Sequence, residues 1–242
     1  MYFSIVGHRG AAGLAPENTI PSFEEAKKYD VDFIEMDVRV TRDGYLVVIH
    51  DATVDRTTNG SGLVSNMSLD QIKRLDAGSW FSDRYRGAKI PTLAEALEVL
   101  SDGDFGIIIE LKERNIEKKT VETIEESGLM DRTIIASFDM DTLANIRNIN
   151  DNIPLLAISV RYNDRIIERI LKLGIRILAL RKDIINKHVA HKCRIRGIIL
   201  NAWTVNDVDL ALRLVRIGVD IISTDYPNRM CMLRKRLLKY KL

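Results

Sequence analysis

Cysteine is scarce in this 242-residue chain, which has only Cys193 and Cys231. They lie far apart, in no redox or metal-binding spacing. That argues against a disulfide scaffold or thiolate metal site, and for two reduced thiols in a reducing compartment. No apolar run is long enough to span a bilayer. The opening stretch MYFSIVGHRG has no charged n-region, long apolar core or small-residue cleavage site, so no signal peptide is expected. A cytoplasmic protein without stable membrane insertion follows as the expectation. No block of one charge sign precedes the C-terminus, and the formal net charge is +2. This argues against a dedicated nucleic-acid binder. The 46% hydrophobic content is ordinary for a globular chain and argues against disorder.

What is present is an alternation. Short β-branched runs occur at 3–7, 33–38, 106–111, 133–137, 154–159, 175–180, 197–203 and 219–224. Continuous apolar runs of this kind suit parallel strands covered on both faces. Amphipathic stretches lie between most of them, as at 22–29, 117–128, 164–174 and 207–218. Three of these end in Gly just before the next strand, which fits a left-handed helix C-cap. Thr92 and Glu95 stand at capping-box spacing ahead of a further helix. Eight strands with intervening helices in this length predict a (β/α)8 TIM barrel, with a doubly wound open sheet as the competing fold. Residues 52–89 break the alternation. They read as a small lobe inserted after the second strand, at the C-terminal mouth of one barrel domain spanning 1–242.

The stretch IEMDVRVTRDGYLVVIHD, from Ile34 to Asp51, places Glu35 and Asp37 on one face of a strand that otherwise looks buried. Asp43-Gly44 is a hairpin signal. A two-residue turn there puts Asp37 opposite His50, and a longer loop shifts the pairing by about one position. The run IIIELK repeats the device with Glu110 and Lys112. Three acids at neighbouring strand ends repel one another unless a cation joins them, and oxygen ligands without nearby Cys favour Mg²⁺ or Ca²⁺. The plainer reading is an ion-pair network of Glu35, Asp37, Arg39 and Lys112. His8 and Arg9 end the first strand. His8 and His50 are a candidate acid and base. Arg9 and Lys112 are candidate phosphate-holding cations. The set suggests phosphoryl transfer to water.

Together the segments GHRGAAGLAPENTIPSFEEA, IEMDVRVTRDGYLVVIHD, DAGSWFSDRYRGAKIPTLAEAL, IIIELK, NAWTVN and ISTDYP resemble the glycerophosphodiester phosphodiesterase family. The resemblance runs from His8 to Pro227 and is weakest between Asn115 and Arg196. It implies a TIM barrel with a small insertion after the second strand. It also implies divalent-cation-dependent hydrolysis of glycerophosphodiesters to an alcohol and glycerol 3-phosphate. Glu35, Asp37 and Glu110 match the metal ligands, His8 and His50 the acid/base pair, and Arg9 and Lys112 the phosphate-holding cations. Glu17 and Asn18 match the loop that steadies Arg9 and the site. Phe138 and Trp203 resemble aromatics lining the glycerol pocket. Two other readings are a lysophospholipase D-type activity, which needs an apolar groove at the mouth, and a non-catalytic polyol-phosphate binding barrel, which predicts a missing histidine or carboxylate.

Other motifs read more plainly. HVAHKC (188–193) matches no strong zinc spacing and reads as a solvated helix face. NGSG (59–62) lacks the strand-turn-helix context of a phosphate cradle. The basic tail 229–242 reads as the last helix of the barrel, packing Met230, Met232, Leu233, Leu237 and Leu238 inward, with cations in its last turn suiting the helix dipole.

Overall fold

The computed structural model describes residues 2–240. Its strands are β1 (Ser4–Gly7), β2 (Phe33–Val40), β3 (Leu46–Val48), β4 (Gly106–Leu111), β5 (Thr133–Ser137), β6 (Leu155–Ser159), β7 (Ile177–Arg181), β8 (Ile199–Trp203) and β9 (Ile221–Thr224). All but β3 are parallel and pair in the order β1-β2-β4-β5-β6-β7-β8-β9, with β9 closing on β1. The predicted (β/α)8 barrel is the observed fold, and the open sheet is not. The eight apolar runs map onto these strands within two residues at each end.

The helices α1 (Ile20–Lys27), α2 (Leu69–Arg74), α3 (Leu93–Leu100), α4 (Glu117–Ser127), α5 (Met140–Ile149), α6 (Asp164–Lys172), α7 (Lys187–Arg194), α8 (Val208–Ile217) and α9 (Pro227–Tyr240) follow in order. All except α2 surround the barrel. Side chains fix the starts of several of them. Thr92 and Glu95 close the anticipated capping box on α3, while Asp139, Asn163, Asn186 and Asp207 cap α5 to α8. After α4, α6 and α8 the chain turns through Gly128, Gly174 and Gly218 at φ of 70°, 69° and 103°. Glycine enters that left-handed region without the strain a β-carbon brings.

Two apolar layers result. The larger lies between helices and barrel wall. The smaller fills the barrel itself with Val6, Ile108, Ile134, Ala136, Leu156, Ala179 and Ile221. That plug ends below the strands' C-terminal ends, and its Ile108, Ala136, Leu156 and Ala179 floor a cavity left above it. A third cluster of Val47, Ile49, Val54, Val64, Ile72, Ala77 and Ile90 forms a small lobe around β3, α2 and the segment after His50.

Two details depart from the sequence reading. The hairpin turn has three residues, Arg42 to Gly44, because Thr41 pairs with Tyr45 and Gly44 takes φ of 83°. The register is therefore Val38 to Val48 and Val40 to Leu46, and Ile49, not His50, lies opposite Asp37. In α9, Met230, Leu233 and Leu237 are buried as expected, but Met232 and Leu238 are 55% and 53% exposed. Arg234 takes an inward position instead, held by Asp30, Asp32 and the carbonyl of Phe3. Lys241 and Leu242, the end of the basic tail, lie outside the described residues. His188 and His191 of α7 are exposed, as a solvated face requires, while Cys193 on the opposite face is buried.

Candidate active site

Strand β2 outruns β1. Its first residues pair with β1, and its last three rise above the rim to pair with β3. The rise carries Glu35 and Asp37 to the mouth, and β4 sets Glu110 beside Asp37 in register. These three side chains offer ligand atoms that all lie within 4.8 Å of one another. Asp37 is 0% exposed, and Glu35 and Glu110 are 7% exposed each. Burial raises the Glu35 carboxyl well above its ordinary range, with Asp37 and Glu110 adding repulsion. Burial and the Asp37 charge push Glu110 up to about 7. Burial alone would raise Asp37 as well, but Lys112 and Arg9 outweigh it and hold that carboxyl well below the usual range.

The cations supply only part of the balance. Lys112 Nζ lies 3.0 Å from Asp37 Oδ1 and also contacts Glu110. Arg9 Nε lies 3.2 Å from Asp37 Oδ2, and the Arg9 backbone N–H donates to Glu35 Oε2 at 2.7 Å. Yet Glu35 Oε1 is buried without a hydrogen bond among the described residues. Orphaned buried carboxylate oxygens are costly. One of them on a converging trio, with only oxygen donors, fits a hard divalent cation. The ion-pair reading thus accounts for Lys112 and Asp37 Oδ1 but not for Glu35 Oε1, and Arg39 lies outside it, paired with Glu113 at 2.8 Å.

The remaining predicted residues meet the trio at one cavity. His8, Arg9, Glu35, His50, Glu110, Lys112, Phe138 and Trp203 all line it, above an apolar floor of Ile108, Ala136, Leu156 and Ala179. Its volume is about 180 Å³. Glu17 and Asn18 stand behind the lining. Glu17 accepts from Arg9 at 2.7 Å. Asn18 donates to Asp37 Oδ2 at 2.7 Å and accepts from the Asp37 N–H. Arg9 and Asn18 both adopt positive φ, 52° and 56°. Such strain in non-glycine residues persists where surroundings over-determine it, as these contacts do. Phe138 and Trp203 meet edge to face at 5.6 Å between ring centroids and form one wall of the mouth.

Sequence reasoning missed the groups behind the histidines. His8 Nδ1 lies 2.7 Å from Asp225 Oδ1, and Asp225 Oδ2 accepts from Asn206 at 2.6 Å. His50 Nδ1 lies 2.6 Å from Asp51 Oδ1, and Arg56 forks onto Asp51. A carboxylate on Nδ1 fixes that nitrogen as the N–H and leaves Nε2 for proton transfer. Burial lowers the His50 imidazole below its ordinary value, despite the opposing pull of Asp37. The missed residues carried a weak signal: Asp225 directly follows β9 as His8 directly follows β1, and Asp51 is the neighbour of His50. Asn201 and Ser223, hydrogen-bonded to each other at 3.0 Å on the cavity wall, were missed too.

Residues 8–229 match the glycerophosphoryl diester phosphodiesterase family. The chain belongs to this family. It is similar to the glycerophosphodiester phosphodiesterase of Caldanaerobacter subterraneus, at 37% identity over 96% of this chain and 98% of that relative. It is similar to that of Bacillus subtilis at 34% identity over 92% and 83%. Among solved structures, it resembles an Oleispira antarctica phosphodiesterase in complex with the product sn-glycerol-3-phosphate. The TM-score is 0.92, at 31% identity, covering 96% of each chain. An Agrobacterium tumefaciens glycerophosphodiester phosphodiesterase matches with a TM-score of 0.83 at 30% identity, covering 96% of this chain and all of that one. As a glycerophosphodiester phosphodiesterase family member on a TIM barrel, the chain is an enzyme of the class its motifs pointed to. Among the described residues no helix is long and apolar enough to cross a membrane.

Proposed function

We propose that this protein hydrolyses glycerophosphodiesters to an alcohol and sn-glycerol 3-phosphate, with one divalent cation, Mg²⁺ or Ca²⁺, held by Glu35, Asp37 and Glu110. The observation that carries the reading is the meeting of that acidic trio with His8, His50, Arg9 and Lys112 at one cavity. The cation, when bound, offsets carboxylate repulsion and stabilises charge on the phosphate. Arg9 and Lys112 hold the phosphate oxygens, Arg9 by its fork and Lys112 as a point charge. Phe138 and Trp203 face the glycerol carbons. One histidine takes the proton of the attacking oxygen at Nε2, and the other delivers a proton to the leaving alkoxide. His8 as base and His50 as acid is the assignment we adopt, and the leaving-group comparison below decides it. The two buried cysteines fit a reducing compartment, the cytoplasm.

The test is a metal-screened assay on glycerophosphocholine and glycerophosphoethanolamine that reads glycerol 3-phosphate. Chelator should abolish turnover, and Mg²⁺ or Ca²⁺ should restore it. Full activity of dialysed protein in excess EDTA would sink the metal-dependent reading. His8→Ala and His50→Ala should each lower kcat by about 100-fold or more. On a p-nitrophenyl diester, whose leaving group needs little protonation, His50→Ala should recover much of its rate and His8→Ala should not. Equal losses on both substrates for both variants would reject the acid role.

A further inference from the structure

Arg56 belongs to the inserted lobe, not to the barrel, yet its guanidinium reaches two carboxylates that each back a different group of the proposed site. On one side it forks onto Glu17, with NH1 to Oε2 at 2.8 Å and NH2 to Oε1 at 2.7 Å. Glu17 in turn accepts from Arg9. On the other side Nε donates to Asp51 Oδ2 at 2.7 Å and NH2 to Asp51 Oδ1 at 3.1 Å. Asp51 in turn holds His50 Nδ1.

We infer that Arg56 is a positioning residue of the phosphodiesterase reaction: one guanidinium sets Arg9 and His50 relative to each other by gripping Glu17 and Asp51. The inference rests on the function proposed above.

Three features make this a built device. The segment carrying Arg56 is fixed: Val54 is fully buried in the lobe core, Thr58 donates back to the carbonyl of Val54, and Asp55 accepts from Ser61 and the Gly62 N–H. The contact pattern uses three nitrogens on four carboxylate oxygens. A planar guanidinium matches that pattern and an ammonium does not. Finally, the arrangement treats the two histidines unequally. Asp51 shares its charge with a cation, whereas Asp225, behind His8, accepts from the neutral amide of Asn206. The lobe therefore tempers the negative charge offered to His50 alone. It also makes lobe folding contribute to a competent site, since Arg9 and His50 approach from separate elements and this tie joins their two carboxylate partners.

The test compares Arg56→Lys and Arg56→Ala with wild type on glycerophosphocholine, at metal saturation and per mole of folded protein. Both variants should lose activity, with kcat/KM down about 10-fold or more, since small misplacements of reacting groups are costly. Lysine should rescue only part. Loss of the Glu17 side should appear as a raised KM, and Glu17→Gln should share it. Loss of the Asp51 side should appear in kcat. Its dependence on the leaving group should match that of Asp51→Asn when glycerophosphocholine is replaced by the p-nitrophenyl diester. The double variant Asp51→Asn/Arg56→Lys should be little worse than the poorer single, as expected for residues acting as one unit. Wild-type kcat and KM in Arg56→Lys, or a lowered melting temperature with unchanged kinetics, would overturn the inference. So would additive losses in the double variant. An inactive wild type would instead reject the function it rests on, so the two failures are distinguishable.

Discussion

Asp225 shows how a single residue acts through another. It directly follows β9 and touches His8 across 217 positions of sequence. Burial would raise its carboxyl, but the His8 and Asn206 contacts outweigh that and lower it. Asp225→Asn should leave the cavity in place, free the His8 ring to rotate, and lower kcat about 10-fold or more while KM changes little. Stability gives a second readout. A carboxyl depressed in the folded state contributes stability above its unfolded value, near 3.9, and loses it as pH falls through the folded value. The melting temperature of Asp225→Asn should therefore fall below wild type at pH 6–7, and the gap should close toward pH 3. A gap independent of pH would show that the carboxylate charge is not what holds His8. At this scale the sequence revealed residues whose side chains alternate along one strand, such as Glu35 with Asp37 or Glu110 with Lys112. It hid Asp225 and Arg56, because a partner brought in by tertiary folding leaves no spacing to read.

Elements were legible where a local rule governs them. The capping box at Thr92 is such a case: Thr92 Oγ1 accepts from the Glu95 N–H at 3.2 Å, and the Thr92 N–H donates to Glu95 Oε2 at 2.7 Å. Removing it touches no group at the mouth. Thr92→Ala should cost about 1 kcal/mol, or roughly 2–4 °C in melting temperature for a chain of this size, with unchanged kinetics per folded molecule. A loss of activity beyond the folded fraction would tie α3 to the site in a way its position does not suggest. Elements were left open or misread where two local rules compete. Asp43-Gly44 satisfies a two-residue turn, yet Gly44 alone takes the left-handed position and Asp43 Oδ1 accepts from Thr41 and from the Leu69 N–H. Those contacts with the neighbouring lobe select the three-residue turn. In α9 the helical period was right, but charge decided the face. Carboxylates and carbonyls at the base of the barrel draw Arg234 inward.

Across the whole molecule, charge is divided along the chain. Residues 1–150 hold 26 Asp and Glu against 17 Lys and Arg, whereas 151–242 hold 8 against 19. Because strands follow chain order round the barrel, β2 and β4, with their three carboxylates, stand in the acidic half, and β6 to β9 in the basic half. A near-neutral total therefore conceals a field that favours a cation on one side of the mouth. Since three buried carboxylates converge and Glu35 leaves an oxygen orphaned, a bound divalent cation should stabilise the folded chain. At a concentration about 100 times its dissociation constant, linkage gives roughly 2.7 kcal/mol, or about 5–11 °C in melting temperature at this size. The measurement is thermal unfolding of EDTA-dialysed protein titrated with MgCl₂ or CaCl₂, in low and in 0.5 M NaCl. The midpoint concentration should rise with salt, because screening weakens the acidic half's contribution. Asp37→Asn should lose most of the shift whatever its own baseline. A shift of equal size in wild type and Asp37→Asn would place the stabilising cation away from β2 and β4, and leave the orphaned Glu35 oxygen without the partner its chemistry demands.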